Sequence, residues 1–201
     1  KDLRKLNIND SVIIALTINT DERLGDKLLE GEGIELTLKD LKNLLEKNPK
    51  NFYISYHIAR YYLETEKNIE EIFNYDVLVI PGGFGKANFF KDNDNKIFKK
   101  LIKYFSENNK IIVAICSAVI NLLETTYIKD KKVTTYLLDN KRYFNQLKNY
   151  NIIPVEEEIV MDNNLLTCSG PGNALELSFR VLEKLTSKEN VKIIQNNMYL
   201  K

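Results

Sequence analysis

The chain has 201 residues, of which 44% are hydrophobic, so it is long enough to bury the core of one domain. Its 29 basic and 28 acidic side chains leave a formal net charge of +1, which excludes the strongly basic surface expected of a protein that binds nucleic acid or an anionic membrane. The longest apolar runs have the length of strands, so no membrane-spanning helix is predicted.

The two cysteines, Cys116 and Cys168, form neither a disulfide framework nor a metal-ligand spacing. We therefore expect no metal site and a reducing, intracellular setting, with the cytoplasm as the simplest compartment. The sequence begins at Lys1 rather than at methionine, which leaves an upstream targeting segment open.

Apolar strands alternate with helical patterns along the first half of the chain, which indicates an α/β fold with a parallel sheet between helices. Residues 1–10 are predicted to be an N-terminal extension. The elements predicted after it are a buried strand at Ser11–Ile18, a long loop at Asn19–Gly33, an amphipathic helix from Leu36 to about Asn48, and a strand at Asn51–Ala59.

The same alternation continues in the second half, and residues 11–201 are predicted to form a single domain. In chain order we predict a short helix at Asn68–Phe73, a strand at Asp76–Ile80, a helix over Ile97–Phe105 capped by Asp92 or Asp94, a strand at Lys110–Ile115, a helix at Ser117–Thr126, a short strand at Lys132–Tyr136, a helix at Asp139–Asn149, a hairpin of Glu157–Met161 with Leu165–Cys168, and a final helix at Ala174–Leu185.

Cys116 lies between a buried strand and a helix, at the edge where parallel sheets bind ligands. A nucleophile elbow places its reactive residue on such a strained turn, and the nearby helix N-terminus lowers the pKa of a thiol. The alternative is that Cys116 is a small core residue, which is the common fate of a free cysteine. From its position alone, the two interpretations are evenly balanced.

Two glycine loops lie at the same predicted edge. Pro81-Gly82-Gly83 follows one strand, and Gly170-Pro171-Gly172 precedes the last predicted helix. Glycines let backbone amides approach a ligand closely, as an oxyanion site requires. Each loop is equally well explained as an ordinary turn, so the functional argument depends on their convergence with Cys116.

The order of these segments resembles the DJ-1/PfpI superfamily, and within it the DJ-1 (ThiJ-like) branch. The segments that carry the resemblance are VLVIPGG, the AIC elbow, KVTT and TCSGPGNALE, and they match from about Ser11 to Leu185. The resemblance implies a flavodoxin-like three-layer α/β/α sandwich with a mainly parallel sheet, assembled as a homodimer.

The resemblance also implies a glutamate beside the elbow cysteine, at the start of the first helix. Glu35 is the match if Asn19–Gly33 is a lengthened loop, and Glu30 or Glu32 replaces it if the alignment shifts. A carboxyl and a thiol in contact can share and move a proton. Without the resemblance, Glu35 is explained as an acidic residue that complements the dipole of its helix.

Two departures from the family pattern bear on catalysis. Tyr136 stands where relatives carry histidine after the VTT stretch, and Ser117-Ala118 replaces the usual Ala-Gly or His-Gly. No histidine follows Cys116, which argues against a peptidase or a glutamine amidotransferase. The one histidine, His57, is expected to be structural, and Cys168 is expected to lie in the core.

Three functions remain open. The resemblance implies a cofactor-free enzyme of the glyoxalase III or deglycase type, acting on methylglyoxal-like 2-oxoaldehydes. Cys116 and Glu35 would perform the chemistry, the amides of Gly83 and Ser117 would hold the oxyanion, and Gly82, Ser117, Tyr136, Gly170 and Pro171 would line the pocket. The alternatives are a redox sensor or chaperone-like protein that uses oxidation of Cys116 without turnover, and a catalytically degenerate scaffold.

Overall fold

The structure, a computed structural model, describes residues 13–15, 42–43, 46–47, 69–83 and 89–200 of the chain. The predicted loop Asn19–Gly33 and the predicted strand Asn51–Ala59 lie outside these residues. Of the helix predicted from Leu36, the described residues are 42–43 and 46–47, and all four are helical.

Short, mostly apolar strands form the centre of the fold. Their bounds are Ile13–Ala15 (β1), Val77–Ile80 (β2), Ile111–Ile115 (β3), Lys132–Val133 (β4), Ile153–Pro154 (β5), Ile159–Asp162 (β6) and Leu165–Cys168 (β7). The main sheet has the order β1-β2-β3-β7-β6, in which every neighbouring pair is parallel except the hairpin of β6 and β7. β4 and β5 form a separate parallel pair.

Helices cover both faces of the main sheet. The α-helices of seven or more residues within residues 89–200 are Lys96–Glu107 (α1), Ala118–Glu124 (α2), Ala174–Leu185 (α3) and Lys188–Asn197 (α4). On one face, Ile112 and Ala114 of β3 pack with the buried side of α1 and α2. On the other face, Val113 of β3 packs with Leu177 and Val181 of α3. The predicted α/β sandwich with a mainly parallel sheet is therefore confirmed.

The strand-and-helix units around β3 agree with the sequence prediction. α3 has the predicted bounds, and β6 and β7 form the predicted hairpin through Asn163, whose φ of 54° lies in the left-handed region. Among the described residues, no helix combines the length and apolar character needed to cross a membrane.

One predicted helix is wrong. Asp139–Asn149 does not form a continuous helix, because Asp139, Asn140 and Lys141 have φ values of 55°, 52° and 57°. A right-handed helix cannot contain such a run, and Asp and Asn adopt the left-handed region more readily than most residues. The segment is instead a short helical turn, Leu138–Lys141, followed by a 3-10 helix at Phe144–Asn149.

Three further details differ from prediction. The cap of α1 is Asn95, whose Oδ1 accepts hydrogen bonds from the N–H groups of Ile97 and Phe98, so the caps predicted at Asp92 or Asp94 are wrong. The strand predicted at Lys132–Tyr136 is shorter, since β4 ends at Val133. The helix predicted as the last is followed by α4, which Ser187 caps by accepting from the N–H of Asn190.

Candidate active site at the Cys116 elbow

Cys116 occupies the sharp turn between β3 and α2 that its sequence position predicts. Its φ is 58°, a left-handed conformation that costs a non-glycine residue about 1–2 kcal/mol. Two hydrogen bonds hold the turn: the Cys116 N–H donates to the carbonyl of Cys168 at 2.8 Å, and its carbonyl accepts from the Thr135 hydroxyl at 2.6 Å. The strained backbone is therefore fixed from two sides, and the thiol is half-buried.

Gly82 packs directly against this elbow. A Cβ built on Gly82 would lie 2.7 Å from the carbonyl oxygen of Ile115 and 2.8 Å from the Cβ of Cys116. Both distances are shorter than the closest approach of a Cβ to a nonbonded carbon or oxygen atom, so only glycine fits at this position. The structure thus brings the loop after β2 and the elbow together, as the sequence predicted.

Ser117 joins the next glycine to the elbow. Its hydroxyl accepts a hydrogen bond from the Gly83 N–H at 3.1 Å and donates one to the Gly83 carbonyl at 2.6 Å. Ser117 is fully buried. The Gly83 amide, expected to bind an oxyanion, therefore already has a partner, and the Ser117 side chain holds the loop rather than facing an open pocket.

The surroundings of Cys116 act on its thiol in opposite directions. Burial raises the pKa of Cys116 and is the largest effect, whereas hydrogen bonds from the backbone N–H and the hydroxyl of Ser117 lower this pKa. The net direction is upward, opposite to the lowering expected from the helix N-terminus. α2 has seven residues, so its dipole is short. The Ser117 hydroxyl carries one proton, so donation to the thiolate and donation to Gly83 are alternatives.

Tyr136 follows a segment that contacts the elbow. Thr135 donates to the Cys116 carbonyl, and Thr134 donates its N–H to the hydroxyl oxygen of Thr167 at 3.0 Å. The Tyr136 ring packs edge-on against Tyr143, with centroids 6.2 Å apart. The sequence analysis did not identify Thr135 as part of the site. A hydroxyl residue directly after a strand that ends near the elbow is the signal that could have found it.

Cys168 ends β7 beside the elbow and is fully buried, as predicted. Its Sγ donates to the Gly170 carbonyl at 3.5 Å. Gly170 and Pro171 lead into a 3-10 helix, Pro171–Asn173, that precedes α3. A Cβ added at Gly170 or Gly172 would meet nothing within 4 Å. These glycines are therefore not required by packing, unlike Gly82.

Glu35, the predicted partner of the thiol, lies outside the described residues, as do Glu30, Glu32 and His57. Residues 84–88 of the glycine loop also lie outside them. β1 runs parallel to β2 with Ala15 opposite Val79, so the carboxyl end of β1 lies at the same sheet edge as Gly82.

Comparison with known proteins identifies one family. The family model described as "DJ-1/PfpI family" matches residues 50–184. The chain is 31% identical to Protein DJ-1 homolog B of Arabidopsis thaliana over 127 residues, which cover 63% of this chain and 26% of that protein. It is 29% identical to Protein dj-1beta of Drosophila melanogaster over 124 residues, which cover 62% of this chain and 63% of that protein. The chain thus spans about a quarter of the first relative and less than two thirds of the second.

Solved structures give the same result for the fold. The crystal structure of Drosophila melanogaster DJ-1beta has a TM-score of 0.57 and 28% identity, covering 66% of this chain and 69% of that one. Schizosaccharomyces pombe DJ-1 has a TM-score of 0.54 and 23% identity, covering 66% of each chain. The second similarity supports the fold alone.

Proposed function

The chain belongs to the DJ-1/PfpI family, and we propose that it is a cofactor-free enzyme of the glyoxalase III type that uses Cys116 as its nucleophile. The observation that supports this proposal is the elbow: a half-buried thiol at a φ of 58°, at the carboxyl edge of a parallel sheet, with Gly82 pressed against it. The substrate class is a 2-oxoaldehyde such as methylglyoxal, and deglycase action is a second use of the same chemistry.

The proposed reaction needs no external oxidant. The Cys116 thiolate adds to the aldehyde carbon, and the resulting alkoxide takes a proton from water to give a hemithioacetal. Glu35 removes the proton from that carbon and returns it to the adjacent carbon, which converts the hemithioacetal into a thioester and the ketone into an alcohol. Water then cleaves the thioester and releases lactate with the thiol regenerated.

This mechanism also requires hydrogen-bond donors that stabilise the oxyanion formed on the substrate. Preorganised donors aimed at the developing charge contribute much of the catalysis in acyl chemistry. Gly83 can donate to substrate only if the Ser117 hydroxyl turns away from it, because that hydroxyl now accepts its N–H. The Ser117 N–H is the other candidate donor, and Tyr136, Gly170 and Pro171 are proposed as the remaining pocket residues.

The test is lactate formation from methylglyoxal by purified protein, followed by NMR so that product is measured rather than loss of aldehyde. We expect turnover in the wild type, none in Cys116→Ser, and a large loss in Glu35→Gln. Cys168→Ser is the matched control, because it changes the other thiol and should keep turnover. Equal lactate formation by wild type and Cys116→Ser would overturn the proposal.

The second candidate is a redox-responsive or chaperone-like protein that uses Cys116 without turnover. The occupied Gly83 amide favours it, since binding an oxyanion there requires breaking an existing hydrogen bond. Peroxide titration with intact-mass analysis separates the two functions: a sensor oxidises at Cys116 and forms no lactate. A scaffold without chemistry would show neither, and Cys116→Ala would then change only stability.

Family members are typically dimeric, and we extend this to the present chain as a proposed homodimer. Sedimentation velocity over a range of concentrations tests it, and a single monomeric species would contradict it. A function carried by a free thiol also fits a reducing, intracellular compartment.

A further inference from the structure

The two cysteines lie side by side at neighbouring strand ends. Cys168 pairs with Ile115 in the ladder of β3 and β7, and Cys116 is the residue after Ile115. The Cys116 N–H donates to the Cys168 carbonyl at 2.8 Å. Neighbouring strands are about 4.8 Å apart, and one further residue along the strand adds about 3.3 Å. For ideal strand spacing this corresponds to a Cα–Cα separation of about 6 Å, which is within the range that a disulfide spans.

The Cys168 thiol is turned towards the loops that surround the elbow. Its Sγ donates to the carbonyl of Gly170, which lies beyond the end of β7. Burial raises the pKa of Cys168 and is the largest effect, backbone hydrogen bonding with Gly170 and Cys116 lowers this pKa, and the negative charge of Cys116 raises it. The net direction is upward, because burial outweighs the hydrogen bonding.

Cys116 lies between Gly82 on one side and Cys168 on the other. Its Cβ is close to Gly82, so the glycine loop closes the elbow on the side away from Cys168. The half-buried Cys116 is the thiol that a dissolved oxidant can reach, whereas Cys168 has no exposed surface. This asymmetry matches the two roles in a thiol relay, in which one cysteine is oxidised and a neighbour resolves it.

We propose that Cys168 is the resolving thiol for Cys116. A hydroperoxide oxidises the Cys116 thiolate to the sulfenic acid, and the alcohol or water derived from the peroxide leaves. The Cys168 sulfur attacks the sulfenic sulfur, the S–OH bond breaks, and one water molecule leaves as the Cys116–Cys168 disulfide forms. A dithiol reductant restores both thiols through exchange.

The proposed disulfide would protect the Cys116 thiol from irreversible oxidation. A sulfenic acid that no thiol resolves is oxidised further to the sulfinic acid, which is not restored by ordinary thiols. Formation of the disulfide competes with this second oxidation and keeps the change reversible. The proposal depends on the reactivity of Cys116 towards peroxide, but it does not depend on aldehyde turnover.

The test is addition of stoichiometric hydroperoxide to the fully reduced chain, followed by intact mass and a non-reducing peptide map. We expect the monomer to lose two hydrogen atoms and to yield a peptide that links Cys116 to Cys168, and a dithiol should reverse both changes. In Cys168→Ser the linked species is lost, and with two equivalents of hydroperoxide Cys116 gains two oxygen atoms, whereas the wild type at the same dose stays bridged. Cys168→Ala repeats the measurement if serine in the core prevents folding.

Three results would overturn the proposal. The wild type and Cys168→Ser could gain oxygen at the same dose, the disulfide could form only between chains, or Cys116 could fail to react with peroxide at all. Alkylation of reduced Cys116 and lactate formation are measured on the same preparations. If the Cys116–Cys168 disulfide forms but no lactate is produced, only the proposed aldehyde activity is rejected. If lactate is produced but no disulfide forms, only the resolving role of Cys168 is rejected.

Discussion

The hydroxyl of Ser117 binds both backbone polar groups of Gly83, accepting from its N–H at 3.1 Å and donating to its carbonyl at 2.6 Å. The two residues are 34 positions apart, so this pair connects the glycine loop after β2 to the N-cap residue of α2. The contact fixes the position of the loop relative to Cys116. It also occupies the Gly83 amide that an oxyanion would bind. Ser117 therefore affects both the stability of the loop and the availability of this amide to a substrate.

Ser117→Ala should destabilise the protein by about 1–3 kcal/mol, because a buried donor and a buried acceptor lose their partner. The same change should raise the pH at which Cys116 is alkylated, since the Ser117 hydroxyl lowers the pKa of that thiol. Urea unfolding and pH-dependent alkylation measure the two effects. Ser178→Ala is the control, because its exposed hydroxyl bonds only within α3, to Ala174. Equal stability of the two variants would remove the proposed role of Ser117.

Gly82→Ala should cost about 1–3 kcal/mol in the free energy of unfolding, the usual range for atoms forced into a filled space. The added Cβ would lie 2.7 Å from the Ile115 carbonyl oxygen, so the elbow must shift. Gly172→Ala is the matched control and should stay within about 0.5 kcal/mol of wild type, because its Cβ meets nothing within 4 Å. Urea denaturation of both variants decides the comparison, and a Gly82→Ala protein as stable as Gly172→Ala contradicts the packing described.

Cys168 should make stability fall in the alkaline range. Burial raises its pKa in the folded protein above the value of about 8.5 for an unfolded chain. The unfolded state therefore loses this proton first, so the contribution is complete below pH of about 8.5 and disappears as pH rises through the folded-state pKa. Urea midpoints measured from pH 7 to 10 should decline less steeply in Cys168→Ala than in wild type. Identical slopes would mean that the folded Cys168 pKa is ordinary.

Asn95→Ala should destabilise the protein by about 1 kcal/mol, because Oδ1 of Asn95 satisfies two N–H groups at the start of α1. Asn95→Ser is the control, since serine caps helices about as well as asparagine. Thermal unfolding of both variants measures the difference. A serine variant that loses as much stability as the alanine variant would show that capping is not the cause.

The sequence predicted the parts of the fold in which one strong local pattern controls the structure. The apolar run of β3 followed by Cys116 and α2, and the amphipathic spacing of α3, gave the elements found. The helix predicted at Asp139–Asn149 failed because its apolar spacing continues across residues that adopt a left-handed backbone. α4 was missed because its pattern is weak and polar, although Ser187 followed by an acidic residue in the first turn, Glu189, was a readable capping signal.

The approach of Gly82 to Cys116 could be predicted from the sequence, but the hydrogen bonds around the elbow could not. Cys116 and Gly82 meet because parallel strands end at one edge, which the order of strands already implies. That Ser117 binds Gly83, or that Thr135 binds the Cys116 carbonyl, depends on side-chain directions after folding. The balance between burial and hydrogen bonding that sets the Cys116 pKa likewise requires coordinates.

The most direct test of the central claim is the pH dependence of Cys116 alkylation in a Cys168→Ser background, with and without Glu35→Gln. The described surroundings of Cys116 raise its pKa, so an inflection below the value of about 8.5 for a free cysteine requires a further group. We predict such a lowered inflection, and we predict that Glu35→Gln shifts it. An inflection above that of free cysteine, unchanged by Glu35→Gln, would contradict the coupled site.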